Sequence, residues 1–194
     1  MKKVAGIFLL SIFLVSFVLA VQGNGNNVSS SIGIQFSNQN NVQAGNYENE
    51  EGKQFSIQEK EQNRLRIHSG NFSADCNCNL TQEQVQNKTK LKMQLSNGRN
   101  AEIKIMPDTA SETALTRLRL KVCNESNNCS IELKEVGQGN ETKVAYEFQA
   151  QKKVKVLGLF RTKAKVTAQV NAENGAFIST KEPWWMSLAS EDEE

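Results

Sequence analysis

The chain has 194 residues, of which 38% are hydrophobic and only 7% aromatic, with 23 lysines and arginines against 21 aspartates and glutamates. That near-balance excludes the dominant positive field through which a DNA or RNA binder gains counterion release, and setting aside Lys2 and Lys3 brings the formal charge to about zero. The length allows one domain of ordinary size, whose core must be built mainly from Val, Ile, Leu and Ala.

Lys2 and Lys3 precede an almost unbroken apolar run from Val4 to Val21, followed by an abrupt change to Gly, Asn and Ser. A charged n-region followed by an apolar h-region predicts export. Residues 1–22 are therefore a signal peptide, cleaved after the small residues Val18 and Ala20, or an uncleaved N-terminal anchor, because about 18 to 20 apolar residues span a bilayer. Both outcomes place the protein outside the cytoplasm, and this segment, if uncleaved, is its one expected membrane contact.

Residues 23–62 are dominated by Asn, Gln, Ser, Gly and Glu, with only scattered Ile32, Ile34, Phe36, Phe55 and Ile57. This composition predicts a flexible polar leader, since it buries too little apolar surface to offset its ordering entropy. A single domain is expected over residues 63–182. Leu65 and Ile67 alternate with Arg64, Arg66 and His68. Leu91, Met93 and Leu95 alternate with Lys90, Lys92 and Gln94, and after Asn97-Gly98 the pattern resumes at Ala101, Ile103 and Ile105, a hairpin with a type I′ turn. The period then changes to Ala110, Ala114, Leu118 and Val122, predicting a helix from about Thr109 to Lys121 capped by Asp108 or Thr109.

Alternation returns at Ile131 and Leu133, from Val144 to Val156, and at Ala164, Val166, Ala168 and Val170, predicting a meander with turns at Gly137-Gln138-Gly139-Asn140, near Gly158 and at Asn174-Gly175. The expected fold class is α+β: an antiparallel sheet (hairpin, helix, meander) with one helix packed on its apolar face.

Four cysteines are present. In an exported chain disulfides are the default, and Cys123 and Cys129 flank a short polar loop that one bridge closes. Cys76 and Cys78 have three alternatives: a tight C-x-C ring, pairing across the fold, or free thiols. A C-x-C with a C-x5-C lacks the usual zinc-knuckle spacing, so no metal is expected.

Seven N-x-S/T sequons, at Asn27, Asn71, Asn79, Asn87, Asn124, Asn128 and Asn140, fall in loops, leader or strand ends, where a glycan is sterically tolerated. Lys153 and Lys155 on one meander strand and Lys163 and Lys165 on the next, with Lys152 and Arg161 near the turn, predict a basic patch on the solvated face, a candidate surface for anionic glycans, phosphate-bearing lipids or an acidic partner. Residues 183–194 form an aromatic then acidic tail in which Trp184 and Trp185 either pack back on the domain or serve as a recognition element. His68 is the sole histidine, no nucleophile accompanies it, and no G-x-S-x-G, Walker, H-E-x-x-H or dinucleotide pattern occurs, so neither a catalytic residue nor a cofactor is expected.

The segment from Lys165 to Ile178, a strand running through Val170-Asn171-Ala172 into Asn174-Gly175, resembles the last hairpin of PepSY-type domains. That resemblance implies an extracytoplasmic inhibitor or chaperone of a peptidase. Asn79 through Ala189, including the closing Pro183-Trp184-Trp185-Met186-Ser187-Leu188, resembles uncharacterised secreted proteins of small uncultivated archaea, which implies an archaeal cell envelope where N-glycosylation is common. The expected function is that of a secreted or surface-displayed non-enzymatic binding or structural protein with a protein or envelope-glycan partner. The PepSY-like modulator is the alternative.

Overall fold

The computed structural model describes residues 42–123 and 128–191. The expected signal peptide, most of the leader and the sequons at Asn27 and Asn124 lie outside them. Among the described residues twelve strands and one α-helix follow in order: β1 (Gly45–Glu48), β2 (Gln54–Glu59), β3 (Leu65–Ser69), β4 (Phe72–Cys76), β5 (Leu80–Val85), β6 (Lys88–Gln94), β7 (Asn100–Ile103), α1 (Pro107–Leu118), β8 (Ser130–Val136), β9 (Lys143–Val156), β10 (Phe160–Asn171), β11 (Phe177–Lys181) and β12 (Ala189–Glu191).

Nine of these strands form one sheet in the order β1-β2-β3-β4-β8-β9-β10-β11, with β12 paired to β9, and β5-β6-β7 form a second sheet. Among the described residues strands occupy 53% and helical segments 15%, so the α+β expectation is corrected to a mostly β fold built on a large mixed sheet. Three features produce the difference. Residues 45–59, expected to be leader, supply β1 and β2, and Phe55 and Ile57 are buried in the core. The β6–β7 hairpin lies in the separate three-stranded sheet rather than in the main one. Finally, β4 and β8 pair in parallel through Asp75 opposite Glu132 and Cys76 opposite Leu133, a long-range ladder that makes the sheet mixed.

The period-2 pattern puts Ile57, Ile67, Ala74, Leu133, Tyr146, Phe148, Val166, Ala168 and Val170 into one core. Leu91, Met93, Ala101 and Ile103 from the small sheet join it, as do Ala110, Ala114 and Leu118, which stand one turn apart along α1. The Tyr146 hydroxyl, fully buried, donates to the Ile105 carbonyl at 2.9 Å, and the Lys104 and Ile105 amides both donate to the Ala172 carbonyl at 3.0 Å. These bonds fix the segment leading into α1 over the end of β10.

The helix begins at Pro107, two residues before the expected start, because proline at the first position costs no intrahelical bond. Its cap is not local: the Ser69 hydroxyl, at the end of β3, accepts the Asp108 amide at 3.0 Å and donates to the Asp108 carboxylate at 2.9 Å. Arg119 in the left-handed region ends it at Leu118, short of Lys121. The Asn97-Gly98 turn also departs from type I′. Only Gly98 has positive φ, and the Asn97 side chain accepts the Arg99 amide at 3.0 Å, giving a three-residue loop.

Phe55→Ala separates a structural β2 from a leader. It should lower unfolding free energy by about 3 kcal/mol in urea titration, as truncation of a buried aromatic does, whereas unchanged stability would return residues 45–59 to a spacer role.

Candidate binding surface

The longest ladder among the described residues joins β9 and β10, antiparallel from Ala145 opposite Asn171 to Val156 opposite Phe160. Its inner face carries the apolar even-numbered residues. Its outer face changes character along its length. At the end near β8 and β11 the Glu147 carboxylate is 7% exposed and accepts hydrogen bonds from Lys134 at 2.6 Å, Gln169 at 2.7 Å and Gln149 at 2.9 Å. The Ser179 hydroxyl donates to Gln169 at 3.0 Å, extending the network across four strands. Burial pushes the Glu147 carboxyl upward, but the bonds from Lys134, Gln169 and Gln149 and the charge of Lys134 outweigh it and hold the group below its ordinary range.

Toward the other end the same face becomes cationic. Lys153 stands opposite Lys163, and Lys155 opposite Arg161, with Lys165 opposite Gln151. Like charges directly opposed across a ladder repel, and Lys153, Lys155 and Arg161 each make a further interaction within the chain. From Lys155 to Lys163 no side chain is buried. The hairpin therefore projects past its own core.

The tip is apolar. Leu157, Leu159 and Phe160 are 65%, 76% and 67% exposed. The Leu159 amide donates to the Val156 carbonyl at 3.1 Å across a turn whose central residues, Leu157 and Gly158, have φ of 51° and 72°. Two left-handed central residues favour Asn-Gly, and a leucine in that region costs roughly 1 kcal/mol. Local preference is sacrificed here to put leucine at the apex.

The tail braces this projection. The segment Trp184–Leu188 forms a 3-10 turn with Met186 packed against the core, Leu188 accepts the Leu157 amide at 3.0 Å, and β12 pairs with Val154, Lys155 and Val156. The chain thus folds back through Met186 and β12, while Trp184 is 84% exposed and Trp185 half-buried. Beneath it a cleft of about 370 Å³ is lined by Arg117, Arg119, Lys152, Glu182 and Met186, among others. The Arg117 guanidinium lies 4.9 Å from the Phe177 ring centre, leaving its charge at the cleft.

The structure brings Lys153, Lys155, Lys163 and Lys165 onto one face, as their parity predicts. The cysteines form two close pairs compatible with disulfides, Cys76 with Cys78 at a Cα separation of 5.4 Å and Cys123 with Cys129 at 5.0 Å. Asn71, Asn79, Asn87, Asn128 and Asn140 are all exposed. His68 is half-buried in β3 between Ser56 and Ser73. Sequence reading missed Leu157, Leu159 and Phe160, whose signal is a turn flanked by leucine and phenylalanine where polar residues are usual. It also missed the bonded Glu147, whose carboxylate is one among many.

No family model matches the chain, and no curated protein or solved structure matches it significantly.

Because the folded Glu147 carboxyl lies below its ordinary 4.5, its stabilisation is full above that value and is lost as the pH falls through the folded value. Glu147→Gln should cost about 1 to 3 kcal/mol at neutral pH. The variant should also lose less further stability than wild type between about pH 5 and pH 3 in thermal melts, and parallel acid limbs would contradict the network.

Proposed function

We propose that the protein is an exported, non-enzymatic binding protein of the cell envelope that engages its target through the β9–β10 hairpin. The observation that carries this reading is the exposed apolar apex of a projecting element, Leu157, Leu159 and Phe160, with Leu157 held in a left-handed conformation that leucine disfavours and a row of cations on the shaft behind it. Locally costly features that nothing in the packing needs are expected at functional sites.

Export is supported by the charged and apolar opening of the sequence and by the two close cysteine pairs, which suit an oxidising exterior. Glycosylation is supported by the exposure of the five described sequon asparagines, and none of the sequons falls in residues 143–191, which build the hairpin and its brace. A surface left clear of glycan is one that a target can reach.

The test is retention on envelope fractions isolated from the producing cells. Mature protein lacking residues 1–22 should sediment with them, and the double variants Lys153→Glu/Lys163→Glu and Leu159→Ser/Phe160→Ser should each release it by about tenfold without a lower melting temperature. Retention that ignores both variants would overturn the hairpin as the binding element.

A further inference from the structure

Resting on the reading that this hairpin is the binding element, we propose that its target is an anionic lipid surface, with Leu157, Leu159 and Phe160 entering the headgroup region and the flanking cations seated on the phosphates. The argument is one of spacing. With about 3.3 Å per residue along a strand, the Lys155–Arg161 pair lies about 3 Å, and the Lys153–Lys163 pair about 10 Å, behind the Val156–Phe160 pair. An element lying in the interface buries its apolar part to about 5 to 10 Å, so an apex inserted to that depth brings both cationic rows to the phosphate layer. Leucine and phenylalanine at the apex, with Leu188 hydrogen-bonded against it through the Leu157 amide, supply the apolar contact.

A soluble polyanion would use the cations but has no use for three exposed apolar side chains at the apex. A groove on a partner protein would use the apex but has no need of two opposed cationic pairs on the shaft. An anionic bilayer uses both in the order in which the hairpin presents them. Lys153, Lys155 and Arg161 already interact within the chain, which takes up part of their positive field. Charge alone is therefore a poor anchor here, and the apex has to carry the contact while the cations orient it.

The chain holds two tryptophans, Trp184 and Trp185, in the same 3-10 segment that ends at Leu188, so it reports on its own docking. Protein lacking residues 1–22 is mixed with vesicles of phosphatidylcholine containing phosphatidylglycerol, or of phosphatidylcholine alone. The expected result is co-sedimentation with the anionic vesicles and a blue shift of tryptophan emission, both weakened by salt and weak on neutral vesicles. Leu159→Ser/Phe160→Ser should reduce partitioning by more than about tenfold at an unchanged melting temperature. Leu157→Asn gives a second, folding-independent arm, because asparagine suits the left-handed turn: it should keep or raise the melting temperature while weakening vesicle binding.

Failure to sediment with anionic vesicles at low salt would overturn the proposal, as would binding indifferent to the apex variants. If envelope retention falls in the apex variants while wild type ignores vesicles, the hairpin reading stands and the target is a protein or glycan rather than lipid.

Discussion

The structure turns on the mismatch in length between β9 and the strand beside it. β9 runs for 14 residues, while β8 runs for 7 and pairs only with Lys143 to Gln149. An antiparallel partner of nearly full length, β10, continues along the other edge. The second half of β9 would otherwise present an open edge, and unpaired edges are a liability. β12 closes its far end and the 3-10 segment before it seats Met186 against the core. One long ladder thus produces both a buried platform and a braced projection.

Along that ladder the physics changes with distance from the core. Near β8 the outer face carries a buried carboxylate, a cost offset by three hydrogen bonds and by the adjacent Lys134. The carboxylate is answered from β8 by Lys134, from β10 by Gln169 and along its own strand by Gln149. Past Val154 and Ala164 no apolar layer remains to be covered, and the residues are cations on the shaft and hydrocarbon at the apex. Packing accounts for the first half of the ladder, and the binding role proposed for the hairpin concerns the second.

Much of this was legible in the sequence where contacts are local. Strict alternation located β3, β6, β7, β9 and β10, and their parity placed Lys153, Lys155, Lys163 and Lys165 on one outer face. The 3.6 period located α1, though its ends were set by Pro107, by a left-handed Arg119 and by Ser69 reaching across from another strand. What local pattern could not carry was pairing at a distance. The parallel β4–β8 ladder joins segments separated by the small sheet and the helix, and its two register pairs leave no periodic trace. β1 and β2 were hidden because a six-residue strand needs only Phe55 and Ile57 to be anchored, too few to stand out in a polar stretch. Leu157 escaped notice for the opposite reason: the turn near Gly158 is legible, but only the backbone shows leucine at its apex in a conformation that leucine disfavours.

Backbone amide exchange at Leu157 tests the central claim, that the hairpin is a braced projection rather than a loose loop. Its N–H bonds to the Leu188 carbonyl at 3.0 Å and so ties the apex to the tail. In the full chain this amide should exchange far more slowly than a free peptide, and removing residues 183–194 should abolish its protection while the amides of Tyr146 and Phe148 keep theirs. Exchange of Leu157 at the free-peptide rate in the intact chain would contradict the account.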